Sequence, residues 1–197
     1  MDVQYIFDSN FLWNKQSIIM LPPEGLSPTE SQREILTWMD IDKLIDHLIP
    51  QFRGEFDGLL MITKGGLVPG GILSEALGIK DVLTASVYFP DQVDKKLAWP
   101  TFMQFPPDTL LTDRRILIVD DIWANGRAIM MVRGRLAAVG CDGETAVLHY
   151  RNRSNLFQDT GPDYYGAITD RYIVYPWEIS VLPRGSLKPR TGPLPAI

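Results

Sequence analysis

The chain has 197 residues, of which 45% are hydrophobic and 22% charged, so it is long enough to form one domain with a sizeable core. Its net charge of -5, without a dense block of lysine and arginine, argues against a general nucleic-acid or membrane-surface binder. The single cysteine, Cys141, excludes an intrachain disulfide and a zinc site built from several cysteines. The sequence lacks a signal-peptide pattern and a membrane-spanning apolar run, which predicts a cytoplasmic protein.

Prolines interrupt the first thirty-odd residues, and this predicts an irregular arm over residues 1–39 that packs on the domain or on a partner subunit. Residues 27–30 fit a capping box, which favours a helix near residues 31–38. A better helix is predicted from Asp40, because apolar residues follow it at helical spacing until Pro50.

Strand and helix patterns alternate through the middle of the chain. They predict strands over residues 56–62, 82–89, 116–119, 145–150 and 170–175, a turn over 63–66, and helices over 68–77 and 127–139. Residues 90–114 contain several prolines and no clean periodicity, and a connection of that length is usually functional, so a lid is expected there. The proline-rich residues 183–197 predict an irregular tail. The alternation indicates an α/β fold with a mostly parallel sheet.

The most informative pattern is a strand that runs into two acids. Four apolar residues, 116–119, are followed by Asp120 and Asp121, then by a loop containing Gly126 and a helical pattern. Ligands of open α/β sheets bind at the carboxyl ends of the strands, and two acids there cost desolvation free energy unless they bind a metal, hydroxyls or a cation. The loop amides and the helix dipole favour an anion. The pattern therefore predicts a site for a polyol phosphate, with two acids that only cap a helix as the alternative.

A second pattern lies in the turn of residues 63–66, here called the glycine turn. Lys64 supplies a positive charge, and Gly65 and Gly66 allow the backbone to approach an anion closely. A plain Gly-Gly turn with a solvated lysine would be the favoured interpretation if this motif stood alone.

A third pattern combines Arg151, at the end of a predicted strand, with the aromatic run Tyr172-Ile-Val-Tyr-Pro-Trp-Glu178. Aromatic rings can stack on a planar base, whereas lone aromatics more often belong to the core. A core position is expected for Trp177.

In this order, the three segments resemble the signatures of type I phosphoribosyltransferases, in particular the purine branch of xanthine-guanine and hypoxanthine-guanine enzymes. The resemblance implies a central, mostly parallel sheet flanked by helices, with a small C-terminal hood at about residues 150–180 inside a phosphoribosyltransferase domain of residues 40–182. It implies a magnesium-dependent enzyme that binds phosphoribosyl pyrophosphate and a purine base or nucleotide. No nucleic acid or membrane is expected as a partner, and a homo-oligomer, dimer or tetramer, is expected.

The resemblance also assigns roles to residues of this sequence. Asp120 and Asp121 would lie at the ribose hydroxyls, with Mg²⁺ as a further ligand of these acids. Lys64, Gly65 and Gly66 would bind the pyrophosphate, so that Lys64 and the two acids form the catalytic set. The 5-phosphate would be wrapped by the phosphate loop, which comprises Ala124, Asn125, Gly126, Arg127 and Ala128.

The purine is expected to lie in the hood. The resemblance implies that Tyr172 stacks on the base, that the backbone around Ile173 reads its edge, and that Arg151 meets the exocyclic 6-oxygen; Glu178 belongs to the same set. Stacking contributes about 1–3 kcal/mol, which fixes a purine without choosing between purines. An arginine donor favours a 6-oxo group over the amino group of adenine.

The sequence departs from the family pattern in the phosphate loop. Asn125 and Ala128 stand where the family usually has Thr or Ser, and Ala124 stands where the 6-oxopurine enzymes carry an aspartate that takes the purine N7 proton. Adenine phosphoribosyltransferases resemble this chain in having alanine there. Two alternatives therefore stay open beside a 6-oxopurine enzyme: adenine as the substrate, and a nucleotide-sensing homologue with weak or no turnover.

Overall fold

The computed structural model describes residues 33–89, 100–157 and 159–178. Its helices are α1 (Trp38–Leu48), α2 (Leu67–Leu77) and α3 (Arg127–Ala137). Its strands are β1 (Arg33–Ile35), β2 (Gly58–Ile62), β3 (Val82–Tyr88), β4 (Thr101–Gln104), β5 (Arg115–Trp123), β6 (Asp142–Tyr150), β7 (Tyr164–Ile168) and β8 (Tyr172–Val174).

The central sheet has the strand order β4-β3-β2-β5-β6-β7, and within the described residues only β4 pairs antiparallel. Helix α2 connects β2 to β3, and α3 connects β5 to β6. The chain moves outward from β2 to β3 and then returns to the other side of β2 as β5, so the strand order reverses between β2 and β5. Open α/β sheets bind ligands at the carboxyl ends of the strands beside such a reversal. The predicted α/β fold is confirmed.

Both faces of the sheet are covered, which explains the unbroken apolar run of β5. Leu117 and Val119 pack in the core cluster that includes α1 and α2, whereas Ile116 and Ile118 pack in the cluster that includes α3. Burying a side chain of this size stabilises the fold by about 1.5–3 kcal/mol. The strand that carries the two acids is therefore firmly anchored on both sides.

Helix α1 begins at Trp38, earlier than the predicted start at Asp40. The reason is a capping box, in which the Thr37 hydroxyl accepts from the Asp40 N–H (3.3 Å) and an Asp40 carboxylate oxygen accepts from the Thr37 N–H (3.0 Å). Asp40 is thus the third helical residue, and the box lies ten residues after the one proposed from sequence.

The predicted helix near residues 31–38 is wrong for residues 33–35. They form β1, which pairs in parallel with β8 so that Arg33 lies opposite Tyr172 and Ile35 opposite Val174. The two strands are far apart in the sequence, so the hydrophobic periodicity of residues 31–38 could not indicate that they pair. The hood strand β8 is consequently part of a separate two-stranded sheet.

Other differences concern strand bounds. Strand β5 continues to Trp123, so the two acids lie inside the strand and not after it. Strand β4 falls within the segment predicted as an irregular lid, because it adds to the edge of β3, and β7 was not predicted. Strand β6 already begins at Asp142, since it pairs with β5 along most of its length.

Residues 1–32, 90–99 and 179–197 hold most of the predicted arm, part of the predicted lid and the predicted tail, and they lie outside the described residues. The division into arm, domain and tail stays a prediction. Among the helices that the structure describes, none has the length and apolar character needed to span a membrane.

Candidate active site

The glycine turn and the two acids meet at the carboxyl ends of β2 and β5. These strands are neighbours in the sheet, with Met61 opposite Val119. A Cβ atom on Gly65 would overlap the Oδ1 atom of Asp121 and would lie 2.6 Å from Oδ1 of Asp120. The backbone at residue 65 therefore touches both carboxylates.

The rest of the glycine turn is equally constrained. A Cβ on Gly66 would overlap the carbonyl oxygen of Val119, so only glycine fits there. The peptide bond between Thr63 and Lys64 is cis, and the Lys64 side chain is exposed. The Gly66 N–H donates to the Ile62 carbonyl oxygen (2.8 Å). The turn thus presents the Lys64 side chain and the Gly65 backbone next to the acids.

The two acids are partly buried and repel each other. Burial raises the pKa of Asp120 well above its usual value, and the charge of Asp121 raises it further. Burial likewise raises the pKa of Asp121 to about 6, with the charge of Glu178 as the second cause. The Asp121 N–H donates to Oδ1 of Asp120 (3.0 Å). A bound cation or hydroxyl donors would relieve this repulsion.

The phosphate loop links the end of β5 to the start of α3. Gly126 has a φ of 81°, and a Cβ there would lie 2.7 Å from the Trp123 ring nitrogen and 3.0 Å from the Phe157 ring. The Asn125 side-chain oxygen accepts from the Arg127 N–H (3.1 Å), and the Arg127 guanidinium lies 4.8 Å from the centre of the Phe89 ring. The loop is therefore a tight turn at a helix N-terminus, which suits an anion.

The hood residues lie at the ends of β6 and β8. Tyr172 is 37% exposed, which leaves its ring accessible, whereas Ile173 is buried. Arg151 donates from Nη2 to the carbonyl of Arg171 (2.8 Å), and its Nε is buried without a partner among the described residues. The Arg151 guanidinium thus lies beside the residue that precedes Tyr172.

A buried hydrogen-bonded chain connects the hood to the acids. The Tyr175 hydroxyl donates to the Asp121 carbonyl oxygen and also contacts Nδ1 of His149, both at 2.9 Å. Because the hydroxyl has one proton, its oxygen accepts from His149 Nδ1–H. Glu178 accepts from the Tyr175 N–H (2.9 Å). Trp177 is partly buried, stacks on Tyr175 at 4.7 Å and packs against the core.

Comparisons with known proteins agree with this geometry. Residues 31–182 match the family model described as a phosphoribosyl transferase domain. The chain belongs to the phosphoribosyltransferase family. Xanthine-guanine phosphoribosyltransferases of Gluconobacter oxydans and Cereibacter sphaeroides are 26% and 29% identical to it, over 75% and 65% of this chain and 85% and 72% of theirs. The resemblance to the purine branch of the type I enzymes is confirmed.

Solved structures share the fold of this phosphoribosyltransferase. A purine phosphoribosyltransferase from Pyrococcus horikoshii has a TM-score of 0.65 and 28% identity, and the match covers 75% of this chain and 94% of that one. A hypothetical protein from Neisseria gonorrhoeae with bound ppGpp has a TM-score of 0.64 and 22% identity, over 75% of this chain and 89% of that one. The second likeness supports the fold alone.

Sequence reasoning about this phosphoribosyltransferase missed the segment that holds the phosphate loop. Ser154 donates from its hydroxyl to the Ala124 carbonyl oxygen (2.7 Å), and Asn155 accepts from the Trp123 ring nitrogen (3.0 Å). The polar run of residues 152–155 has the composition of an ordinary surface loop, so its sequence gives no sign of these contacts.

Proposed function

We propose that the protein transfers the 5-phosphoribosyl group of phosphoribosyl pyrophosphate to a 6-oxopurine, with release of pyrophosphate. The observation that carries this proposal is the contact of the Gly65 backbone with the carboxylates of Asp120 and Asp121. It brings a polyphosphate-binding turn and a hydroxyl-binding acid pair to one point of the sheet. The xanthine-guanine relatives support a guanine, hypoxanthine or xanthine substrate.

The leaving group would be held at the glycine turn. Lys64 places a positive charge, and the backbone amide of Gly65 places a donor, where charge develops on the departing pyrophosphate. The Gly66 N–H already donates to the Ile62 carbonyl oxygen (2.8 Å), so Gly66 contributes close backbone approach and not a donor. Asp120 and Asp121 accept hydrogen bonds from the ribose hydroxyls and so orient the sugar for attack at its anomeric carbon. Lys64 would thus stabilise the departing charge, and the two acids would orient the sugar.

The acids suit magnesium that arrives with the substrate. In the ranges that the structure describes, no three metal-binding side chains come together, so the chain alone offers no complete cage. Magnesium is commonly held by one or two carboxylates together with substrate phosphate oxygens and water. Asp120 and Asp121 would supply those carboxylates, and the ion would offset negative charge on the pyrophosphate.

The purine would be recognised in the hood. The exposed ring of Tyr172 stacks on the base, and the backbone at Ile173 meets its edge. Arg151 offers guanidinium hydrogens to a 6-oxo group, which the amino group of adenine would not accept. The buried Arg151 Nε has no partner among the described residues, which supports a ligand acceptor near this side chain.

The phosphate loop supports a second candidate function. Ala124 offers no carboxylate to take the N7 proton, and Ala128 offers no hydroxyl to the phosphate. These positions favour slow turnover, and in the extreme case a nucleotide sensor that does not catalyse the transfer. Alanine at position 124 also favours adenine as the substrate. The cytoplasmic location and the homo-oligomer stay predictions.

The test mixes the protein, magnesium and phosphoribosyl pyrophosphate with guanine, hypoxanthine, xanthine or adenine, and measures nucleoside monophosphate by chromatography. We expect product from at least one 6-oxopurine and none from the variant carrying Asp120→Asn and Asp121→Asn. Product from adenine alone would establish the adenine alternative. If no base gives product, calorimetry with guanosine monophosphate separates a sensor, which binds it tightly, from a protein unrelated to purine nucleotides.

A further inference from the structure

One short segment donates hydrogen bonds to three consecutive backbone carbonyls, those of residues 123–125, at the start of the phosphate loop. The Arg151 N–H donates to the Trp123 carbonyl (2.9 Å), and the Leu156 N–H donates to the Asn125 carbonyl (3.2 Å). Between them, the Ser154 hydroxyl donates to the Ala124 carbonyl at 2.7 Å. The same hydroxyl lies 3.3 Å from the Arg151 carbonyl, and with one proton it favours the shorter contact. We name residues 151–156 the support segment.

These bonds fix the direction of the amide groups on the far side of each peptide unit. The N–H of a trans peptide points opposite to its C=O, and the peptide bonds at residues 123–126 are trans. With the three carbonyls turned toward the support segment, the N–H groups of Ala124, Asn125 and Gly126 point away from it. No group in the described residues accepts a hydrogen bond from any of these three. Successive amides aligned in this way form a concave anion site.

Side chains keep the support segment itself in place. Asn155 accepts from the Trp123 ring nitrogen (3.0 Å) and donates to the carbonyl oxygens of Phe157 (2.8 Å) and Thr160 (2.6 Å). The Trp123 ring in turn lies against Gly126, where a Cβ would come within 2.7 Å of its nitrogen. These hydrogen bonds and packing contacts hold the support segment in one position.

We infer that Ser154 is a positioning residue for the 5-phosphate: its hydroxyl holds the Ala124 carbonyl so that the amides of the phosphate loop face the ligand. This rests on the proposed function, which places the phosphate there. Because the support segment begins at Arg151, it connects the proposed purine-binding arginine to the phosphate loop. Ser154 acts through the Ala124 carbonyl and does not itself touch the phosphate.

The test isolates the phosphate by comparing two ligands. Calorimetry gives the dissociation constants of guanosine and guanosine 5′-monophosphate. The ratio of the guanosine constant to the monophosphate constant reports the contribution of the phosphate alone. We expect Ser154→Ala to lower this ratio about fivefold, since one net hydrogen bond is lost, and to leave guanosine affinity unchanged. Ser154→Thr keeps the hydroxyl and should restore the ratio. The matched control is Ser74→Ala, which removes a hydroxyl bond to the Gly71 carbonyl (2.8 Å) on α2.

The outcomes separate this inference from the proposed function. If wild-type protein binds the monophosphate no better than guanosine, the proposed phosphate site is wrong and the inference is wrong with it. A wild-type preference for the monophosphate that Ser154→Ala leaves intact overturns the inference alone. Equal weakening of both ligands, or the same loss in Ser74→Ala, would also overturn it, because the effect would then be one of general stability.

Discussion

Gly65 and Asp121 are in such close contact that no side chain larger than hydrogen fits at residue 65. A Cβ there would overlap Oδ1 of Asp121, and Asp120 approaches from the same side at 2.6 Å. The contact ties the end of β2 to the end of β5, where the strand order of the sheet reverses. The geometry of the acid pair therefore depends on the glycine turn.

Gly65→Ala should disable the site while leaving the fold intact. The added methyl must displace the carboxylates or the turn, so we expect kcat/KM to fall at least about 100-fold, as misplacement by about 1 Å does in other enzymes. Steady-state kinetics with phosphoribosyl pyrophosphate measures the effect. The matched control is Gly71→Ala in α2, where a Cβ meets nothing within 4 Å; it should keep full activity and gain about 0.5–1 kcal/mol of stability. Unchanged kinetics in Gly65→Ala would contradict the assignment of the turn.

Asp121→Asn should stabilise the free protein and abolish its activity. The substitution removes a partly buried charge that raises the pKa of Asp120 and is itself opposed by Glu178. We expect the free energy of unfolding at pH 7 to rise by about 2 kcal/mol, because a shift of one pKa unit corresponds to about 1.4 kcal/mol. Urea denaturation measures it. Asp42→Asn, at an exposed position of α1, controls for the loss of one charge, and a destabilised Asp121→Asn would contradict the prediction.

His149 should make the protein less stable as the pH falls below neutrality. Burial lowers the pKa of His149 to about 4, with the charge of Arg151 as the second cause. The unfolded chain binds a proton at His149 near pH 6.5, whereas the folded chain binds it only near pH 4. The free energy of unfolding is therefore highest above pH 6.5 and decreases as the pH falls toward 4. This group should contribute a loss of about 2 kcal/mol between pH 7 and pH 5.

The measurement is urea denaturation at both pH values for wild-type protein and His149→Asn. The asparagine amide replaces the Nδ1–H donor to Tyr175 but does not titrate, so this part of the pH dependence should disappear. His47→Gln, on the exposed side of α1, removes the other histidine as a control. Equal pH dependence in wild-type protein and His149→Asn would show that the buried histidine is not responsible.

The sequence predicted those parts of the fold that have a local signal. The apolar run before Asp120 and the glycine turn at Lys64 are visible because burial and backbone freedom restrict the residue types there. The structure brings these two motifs together because β2 and β5 are parallel neighbours that end at one edge of the sheet. The α/β fold and the two motifs themselves were therefore predictable.

The elements that sequence reasoning missed depend on distant partners. Strand β1 exists because Arg33 to Ile35 pair with β8, and β4 exists because it adds to the edge of β3. Ser154 contacts the phosphate loop only because β6 delivers it beside β5. None of these features changes hydrophobic periodicity, so no local pattern indicates them.

Tyr172 should contribute binding energy through its ring and not through its hydroxyl. The side chain is 37% exposed on the hood strand, so its removal leaves no core cavity. We expect Tyr172→Ala to raise the KM for the purine roughly tenfold, since base stacking is worth about 1–3 kcal/mol. Tyr172→Phe retains the ring and should behave like wild-type protein. An equal loss in both variants would indicate that the hydroxyl, and not stacking, binds the base.

Ala124→Asp should strengthen catalysis if the absent general base limits turnover. Residue 124 lies between the acid pair and Gly126, and its backbone carbonyl is held by Ser154, so a new side chain does not disturb that bond. A positioned base contributes about 10²–10⁴-fold, and we expect kcat with guanine or hypoxanthine to rise about 100-fold. Ala124→Asn has the same shape without the basic charge and should show no such gain. Equal rates in wild-type protein, Ala124→Asp and Ala124→Asn would mean that proton removal at the purine is not the slow step, and that another group or water already performs it.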